Sequence, residues 1–214
     1  MLTLPIPTEL ANAHLLKREF FVRNPRIVAR ELLGKLVVRR EEGKPLLAGR
    51  IVETEAYLGV GDPAAHSAAG KTARNAVLFE APGHAYVYFT YGIHYCLNVS
   101  CLPAGEAGGV LFRALEPVVG AGQMAQNRGL DLPPEKAARL LTSGPGRLCQ
   151  ALAVTRARDN GKDMVAPASD LVLMSDGYHL SQIAATPRIG ITKAADRPLR
   201  YILVGNPFVS GKKM

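Results

Sequence analysis

The segment that most constrains the fold is the run RIVETEAYLG at residues 50–59. Its β-branched residues favour a strand, and successive side chains of a strand point to opposite faces. Glu53, Glu55 and Tyr57 would therefore share one face. Two carboxylates this close disfavour each other's ionisation where water is scarce. The run is either a solvent-facing edge of an antiparallel sheet or a functional acidic strand.

Length and composition predict a single soluble domain. The chain has 214 residues, of which 48% are hydrophobic, enough to bury a sizeable core. It has no run of 18 apolar residues and no signal-peptide pattern, so we expect no membrane span and no signal peptide. Its three cysteines lack CxxC spacing and are expected to be reduced. These features favour a cytoplasmic location, with nucleoid association if the source is bacterial.

The charge balance indicates a polyanionic partner. The formal net charge is +8 and the pI is about 9.6, with basic residues concentrated in the first forty positions and near the end. Nucleic acid is the first candidate and an anionic membrane the second. A basic surface without a partner is the alternative.

Local signals predict a mixed α and β domain. The first twelve residues read as a loose tail, and residues 24–34 as a helix with Asn24 as N-cap, Pro25 at its first position and Gly34 as its stop. In this helix Ile27, Leu32 and Leu33 are expected to face inward. Further strands are predicted at residues 35–39, 110–117, 171–174, 188–192 and 200–204, and further helices at residues 119–128, 134–141 and 147–154. The glycine turn at residues 141–147 is a connection or a phosphate site.

A tyrosine-rich stretch at residues 85–100 predicts a hairpin with its turn at Tyr91 and Gly92. Its aromatics form either a ladder within a sheet or a wedge that enters the DNA minor groove. The strand at residues 110–117 carries Arg113 among apolar neighbours, and a buried arginine requires a carboxylate partner.

Several familiar motifs are missing from the sequence. Gly70-Lys-Thr72 lacks the earlier glycine of a P-loop, because position 65 is alanine. HExxH, paired Cys/His spacing, GxSxG and GxGxxG are also absent, so we expect no metal and no organic cofactor. The remaining features suit an enzyme that stacks a planar base on aromatics and cleaves a bond with carboxylate-activated water.

Several segments, in order, resemble the alkyladenine (3-methyladenine) DNA glycosylase family. They are residues 50–59, 62–67, 86–98, 111–117, 141–145, 197–200 and 206–210. The resemblance implies that Glu55 is the general base that activates the attacking water. It implies that Arg113 and the backbone carbonyl of Ile189 help to hold this water.

The resemblance also implies a pocket for a flipped base. Tyr57 and Tyr88 would stack on the purine, His66 would lie at its edge, and Asn98 would discriminate against the amino group of guanine. Contacts with DNA would come from Tyr91, Gly92, Arg74 and Arg188, with Tyr91 filling the gap in the duplex.

Taken together, these observations predict an α+β single domain. Its curved, mostly antiparallel sheet is open-barrel-like, with surrounding helices and a protruding β-hairpin. The expected limits are a tail at residues 1–16, a DNA glycosylase domain at 17–210 and a tail at 211–214.

The predicted function is a monomeric, monofunctional glycosylase of base excision repair. It would release 3-methyladenine, hypoxanthine or ethenoadenine from double-stranded DNA. No lysine adjoins Glu55, so Schiff-base lyase chemistry is not expected. The alternatives are a non-catalytic nucleic-acid-binding protein that uses the basic surface and the tyrosine hairpin, and a formyltransferase-like accessory domain that binds tRNA.

Overall fold

A computed structural model describes residues 7–90, 92–131, 134–180 and 182–211. Within these ranges the chain forms one sheet of nine strands, surrounded by five α-helices. The strands are β1 (His14–Leu15), β2 (Leu36–Arg39), β3 (Leu47–Tyr57), β4 (Ala85–Thr90), β5 (His94–Cys101), β6 (Gly108–Val119), β7 (Leu171–Ser175), β8 (Ile183–Thr186) and β9 (Arg200–Leu203). The α-helices are α1 (Pro25–Leu32), α2 (Ala121–Asn127), α3 (Pro134–Thr142), α4 (Pro145–Ala151) and α5 (Arg156–Asp159).

The long strand β3 lies at the centre of the sheet. Its whole length pairs with β6, while its first half pairs with β2 and its second half pairs with β9. The order along the sheet is β1-β7-β2-β3-β6-β5-β4, and every pairing is antiparallel. This curled antiparallel sheet confirms the predicted α+β single domain. It also excludes the solvent-facing edge that was the alternative for β3, since β3 is paired on both sides.

Register shifts interrupt the pairing of β3 with β6 where β3 changes partner. They fall between Ile51 and Glu53 and between Glu53 and Thr54. The residues opposite are Ala114 for Glu53 and Phe112 for Thr54, so Arg113 is the extra residue of a bulge on β6. A bulge bends a strand and redirects its side chains. Here it directs Arg113 towards the carboxylates of β3.

Helix α1 forms as its sequence predicts. The side chain of Asn24 accepts a hydrogen bond from the backbone N–H of Arg26, and Pro25 occupies the first turn. The prediction for Ile27 was wrong, because its side chain is 46% exposed. The buried face consists instead of positions 25, 28, 29 and 32, a spacing that follows one side of a helix and leaves Ile27 on another side.

Two other local predictions are corrected by the tertiary structure. Residues 188–192 form a loop rather than a strand, since Gly190 has a φ of +77° and Arg188 is held by distant groups. The strand in this region is β8, which pairs with β9. Of the predicted N-terminal tail, residues 1–6 lie outside the described part of the chain, and residues 7–16 are docked, because β1 pairs with β7 and both Leu10 and Leu16 are buried. The domain limits themselves stay a prediction.

The remaining elements largely follow the predictions. Strand β6 continues to Val119, so α2 begins at Ala121, and α4 begins at Pro145 rather than at residue 147. The turn between α3 and α4 is tied to β6, because the Thr142 hydroxyl donates to the Leu115 carbonyl at 2.6 Å. The three cysteines are buried and free, as expected. No helix in the described part of the chain is long and apolar enough to cross a membrane.

Two glycines in the loop after β3 provide a matched test of close packing. Gly59 and Gly61 both have a φ of +79°, but an added Cβ at Gly59 would lie 1.7 Å from the Ala107 carbonyl oxygen, while one at Gly61 would meet nothing within 4 Å. We expect Gly61→Ala to lower the free energy of unfolding by about 1 kcal/mol through its positive φ alone. Gly59→Ala should lower it by about 3 kcal/mol or more, because the backbone must also move. Urea unfolding measures both, and equal losses would contradict the packing argument.

Candidate active site

Glu55 lies on β3, shielded from solvent, with three donors directed at its carboxylate. Its Oε1 accepts the backbone N–H of Ile189 at 2.8 Å and lies 3.3 Å from Arg113 Nη1. Its Oε2 accepts the Tyr57 hydroxyl at 2.9 Å. A carboxylate offers about four lone-pair positions, so one stays free for a further donor such as water.

Burial controls the ionisation of this cluster. It raises the pKa of Glu55 above its usual value, while Arg113, the Ile189 N–H and the Tyr57 hydroxyl act against this effect and the neighbouring Glu53 adds to it. Burial and the nearby Glu55 charge also raise the pKa of Tyr57, so its hydroxyl stays protonated and donates. Burial opposes the charge of Arg113, but Glu55 and Glu53 outweigh it and raise the pKa of Arg113. Arg113 is therefore a permanent cation beside Glu55.

A pocket of about 230 Å³ reaches the Glu55 cluster through Tyr57. Tyr57, which donates to Glu55, forms part of its wall together with His66, Tyr88 and Asn98. The predicted substrate-binding side chains thus meet in one place. Additional lining comes from Ala64, Ala65, Ser67, Leu78, Tyr86, Thr90, Gly109, Gly190 and Ile191. The pocket joins four separate parts of the chain, and a flat aromatic ligand is the shape that its tyrosines favour.

His66 is held at the pocket wall by two tyrosines of β4. Its Nδ1 lies 3.0 Å from the Tyr86 hydroxyl, and its ring packs edge-on against Tyr88 with 4.4 Å between centroids. Burial, assisted by the positive charge of Arg74, lowers the pKa of His66. The imidazole is therefore neutral near pH 7, so it is a hydrogen-bonding group and not a cation.

Asn98 is fixed on the neighbouring strand β5. Its side chain is buried, and its Nδ2 donates to the Tyr86 carbonyl at 3.0 Å. This hydrogen bond uses one of the two amide hydrogens of Asn98 and fixes the orientation of its side chain. The fixed side chain limits the space at this end of the pocket.

The loop that carries His66 is anchored by a buried ion pair. Asp62 accepts two hydrogen bonds from Arg188, at 2.6 and 2.8 Å, and both side chains have no solvent exposure. Arg188 also donates to the Ala56 carbonyl, and its guanidinium carbon lies 4.7 Å from the Tyr57 ring centroid. The side chain of Arg188 is thus buried in the protein, whereas a contact with DNA was expected. In this position it orders the loop, Tyr57 and the following residue Ile189.

A second anchor in this loop is Asn75, which is buried. Its Nδ2 donates to the carbonyls of His66 and Gly70 at 2.9 and 3.0 Å, and its Oδ1 accepts the Thr72 N–H. Sequence reasoning assigned no role to Asp62, Asn75 or Tyr86. Asp62 and Asn75 each lie beside a proline, glycine or small residue in a polar loop, and nothing in the local pattern reveals that their partners lie up to 126 residues away.

Two of the remaining predicted DNA contacts, Arg74 and Gly92, are exposed. Arg74 is exposed, and its guanidinium carbon lies 6.0 Å from the Tyr88 ring centroid. Gly92 is exposed in the turn between β4 and β5 with a φ of +69°. Tyr91, predicted at the tip of this hairpin, lies outside the described residues. Ile189 contacts Glu55 through its N–H, whereas the sequence assigned a role to its carbonyl.

A buried carboxylate beneath an aromatic pocket, in a basic protein, is the arrangement that hydrolysis at a nucleobase requires. The family model described as Methylpurine-DNA glycosylase matches residues 19–207. The chain therefore belongs to the methylpurine-DNA glycosylase family. It is a DNA N-glycosylase, a hydrolase that acts in DNA repair. This result sets aside the non-catalytic binder and the formyltransferase-like domain.

Relatives from distant organisms match along nearly the whole chain. A protein of Koribacter versatilis is 66% identical over 206 residues, which cover 96% of this chain and 98% of the relative. A Burkholderia orbicola protein is 46% identical and covers 92% and 91%, and a Methanoculleus marisnigri protein is 48% identical and covers 89% and 96%. All three bear the name "Putative 3-methyladenine DNA glycosylase".

The Asp62–Arg188 pair gives a prediction about stability. Asp62→Asn leaves a buried guanidinium without its counter-charge, so we expect a loss of about 3–5 kcal/mol in the free energy of unfolding at pH 7. Burial raises the pKa of Asp62, but Arg188 and two backbone N–H groups outweigh it and lower the pKa below its usual value. The stabilisation is therefore present above an unfolded-state pKa of about 3.9 and is lost as pH falls through the lower folded-state pKa.

The matched control for this prediction is Asp163→Asn. Asp163 pairs with Arg18, but both side chains are partly exposed, at 28% and 37%. We expect a loss of about 1 kcal/mol or less there. Urea unfolding at pH 7 compares the two variants, and a loss at Asp62 no larger than that at Asp163 would contradict the proposed anchor.

Proposed function

We propose that this DNA glycosylase flips alkylated purines out of duplex DNA and hydrolyses the N-glycosidic bond with Glu55 as general base. The observation that carries the proposal is the Glu55 carboxylate, held by Arg113, the Ile189 N–H and Tyr57 beside the aromatic pocket. An enzyme that acts on a base within a duplex must first take it out of the stack. The pocket is smaller than sites that enclose drug-sized ligands, and it suits one planar base.

The chemistry follows from the position of the charges. As the bond from C1′ to the base breaks, positive oxocarbenium character develops on the sugar, and a nearby carboxylate stabilises it. The free lone pair of Glu55 accepts a proton from water, which then attacks C1′. The purine leaves with the electrons of the broken bond, and an abasic site remains. Arg113 holds the carboxylate in place and does not exchange protons, because it stays charged.

The pocket favours purines that already carry a positive charge. A cation is attracted to the faces of tyrosine rings, and Tyr57 and Tyr88 both line the pocket. A neutral base such as hypoxanthine or ethenoadenine requires a proton to leave. His66 is a poor source of it, because burial and Arg74 lower the pKa of His66. We therefore rank cationic 3-methyladenine above the neutral lesions.

The proposed enzyme is monofunctional and acts as a monomer on double-stranded DNA. No lysine occurs among the pocket-lining residues of the described chain, so an imine with the sugar has no amine donor there. The net charge of +8 favours association with the phosphate backbone. Arg74 and Gly92 are exposed, and Arg74 lies close to Tyr88 of the pocket wall, so we expect the duplex to approach from this side.

The first test replaces the proposed base. Glu55→Gln keeps the size of the side chain but replaces one carboxylate oxygen with an amide nitrogen and cannot accept a proton, so we expect base release to fall by about 10²–10⁴-fold. Binding to lesion-containing duplex should be unchanged or tighter. Single-turnover release of 3-methyladenine and a binding titration measure the two properties. The control is Glu116→Gln on β6, whose carboxylate accepts from Asn206, and wild-type-like release by Glu55→Gln would refute the mechanism.

The second test is the pH dependence of the reaction. Glu55 acts as a carboxylate, so release of a cationic base should decline at low pH, where Glu55 becomes protonated. Because burial raises the pKa of Glu55, this decline should begin at a higher pH than the usual glutamate pKa of about 4.3 would give. Tyr57→Phe keeps the ring but removes a donor that lowers the pKa of Glu55. It should therefore move the acid limb to higher pH. A limb that stays in place in Tyr57→Phe, with binding intact, would show that another group titrates.

A further inference from the structure

Glu53, two residues before Glu55, is buried and satisfied more fully than its neighbour. Its Oε1 accepts Arg113 Nε at 3.1 Å, Arg200 Nε at 2.6 Å and the Ser210 hydroxyl at 2.9 Å. Its Oε2 accepts the backbone N–H of Ser210 at 2.6 Å. The sequence assigned no role to this residue and left it either solvated or paired with an arginine. The pairing is what the structure shows.

The four charged groups alternate in sign along a buried row. Arg200 contacts Glu53, Glu53 contacts Arg113, and Arg113 contacts Glu55. Two negative and two positive charges balance, which is what allows a row of buried ions to exist. Arg200 is itself held from behind, since its Nη2 donates to the Ser210 carbonyl and its Nη1 to Thr186.

The geometry of Arg113 links Glu53 to the proposed base. A guanidinium is planar, and its nitrogens are rigidly arranged. Glu53 binds Arg113 at Nε, and Glu55 binds the same group at Nη1. Fixing the Nε edge therefore sets the plane of the guanidinium and the point from which Nη1 reaches Glu55.

We propose that Glu53 is a positioning residue for the reaction, which aligns Arg113 against Glu55 and is itself fixed by Arg200 and Ser210. This inference rests on the proposed function of Glu55. It makes the segment that contains Ser210 part of the catalytic apparatus, although Ser210 contacts neither Glu55 nor the pocket lining. The charge of Glu53 has a second effect, because it raises the pKa of Glu55.

The test is Glu53→Gln, which keeps the shape of the side chain and removes its charge. We expect the single-turnover rate at saturating protein to fall on the order of 10- to 100-fold, because a misplaced Arg113 displaces Glu55. The affinity for lesion-containing duplex should stay within about twofold, since Glu53 does not line the pocket. A displaced Arg113 lowers the pKa of Glu55 less, and this effect is larger than the loss of the Glu53 charge, so the acid limb should move to higher pH, as in Tyr57→Phe.

Two further variants keep the test decisive. Ser210→Ala removes one hydroxyl donor to Glu53 and should slow the reaction by about 2- to 10-fold, the loss expected for one hydrogen bond. Glu116→Gln, on the neighbouring strand and also paired with the C-terminal segment through Asn206, should leave the rate and the limb unchanged. If Glu53→Gln does not fold, Ser210→Ala decides, and a wild-type rate in it overturns the proposal.

A purely structural role for Glu53 has a different signature. Glu53→Gln would then lower the free energy of unfolding but keep the wild-type rate, and the acid limb would move only to lower pH because the Glu53 charge is lost. This result overturns the inference. The proposed function fails separately. Active Glu55→Gln removes the basis of both proposals, whereas inactive Glu55→Gln together with wild-type-like Glu53→Gln removes only the role of Glu53.

Discussion

The burial of two glutamates on one strand is the constraint on which the rest of the site depends. Glu53 and Glu55 have no solvent exposure, and unpaired carboxylates in such a place cost several kcal/mol each. Arg113 forms ion pairs with both glutamates and Arg200 forms one with Glu53. The Ile189 N–H and the Tyr57 hydroxyl donate hydrogen bonds to Glu55. The sheet must therefore place β6, β9 and the loop after β8 around one short part of β3, and the partner change and bulges of β3 achieve this.

The pocket depends on a second buried ion pair, which orders a segment without regular structure. The loop after β3 has few apolar side chains that could pack against the core. Hydrogen bonds of Asp62 and Asn75 therefore hold this loop in its conformation. Gly59 lets this loop approach the Ala107 carbonyl so closely that no side chain fits. These contacts hold His66 and Tyr57 in fixed positions next to β4 and β5. Rigidity of this kind is what a site needs in order to act on a base held for a short time.

Local signals in the sequence predicted much of the fold. The Asn24 cap and Pro25 indicated α1, runs of apolar and β-branched residues indicated β2, β3 and β6, and the tyrosine-rich stretch indicated the β4–β5 hairpin. The predictions that failed concern residues for which long-range contacts outweigh the local secondary-structure propensity. Residues 188–192 resemble a strand, but Arg188 is drawn into the core by Asp62 and the chain turns at Gly190. Ile27 is exposed because the packing of α1 on β3, and not its hydrophobicity, selects the buried face.

The sequence by itself determined the chemistry. The order of its motifs identified the family, and Glu55, Arg113, Tyr57, His66, Tyr88 and Asn98 could all be named as members of the site. The tertiary structure decided how they are arranged and which residues support them. Glu53 and Asp62 are polar residues whose partners lie far away along the chain, and Asn75 orders its own loop. The side chain of Arg188, expected to contact DNA, is buried against Asp62. A sequence records side-chain chemistry and local periodicity, whereas burial and long-range pairing exist only after the chain has folded.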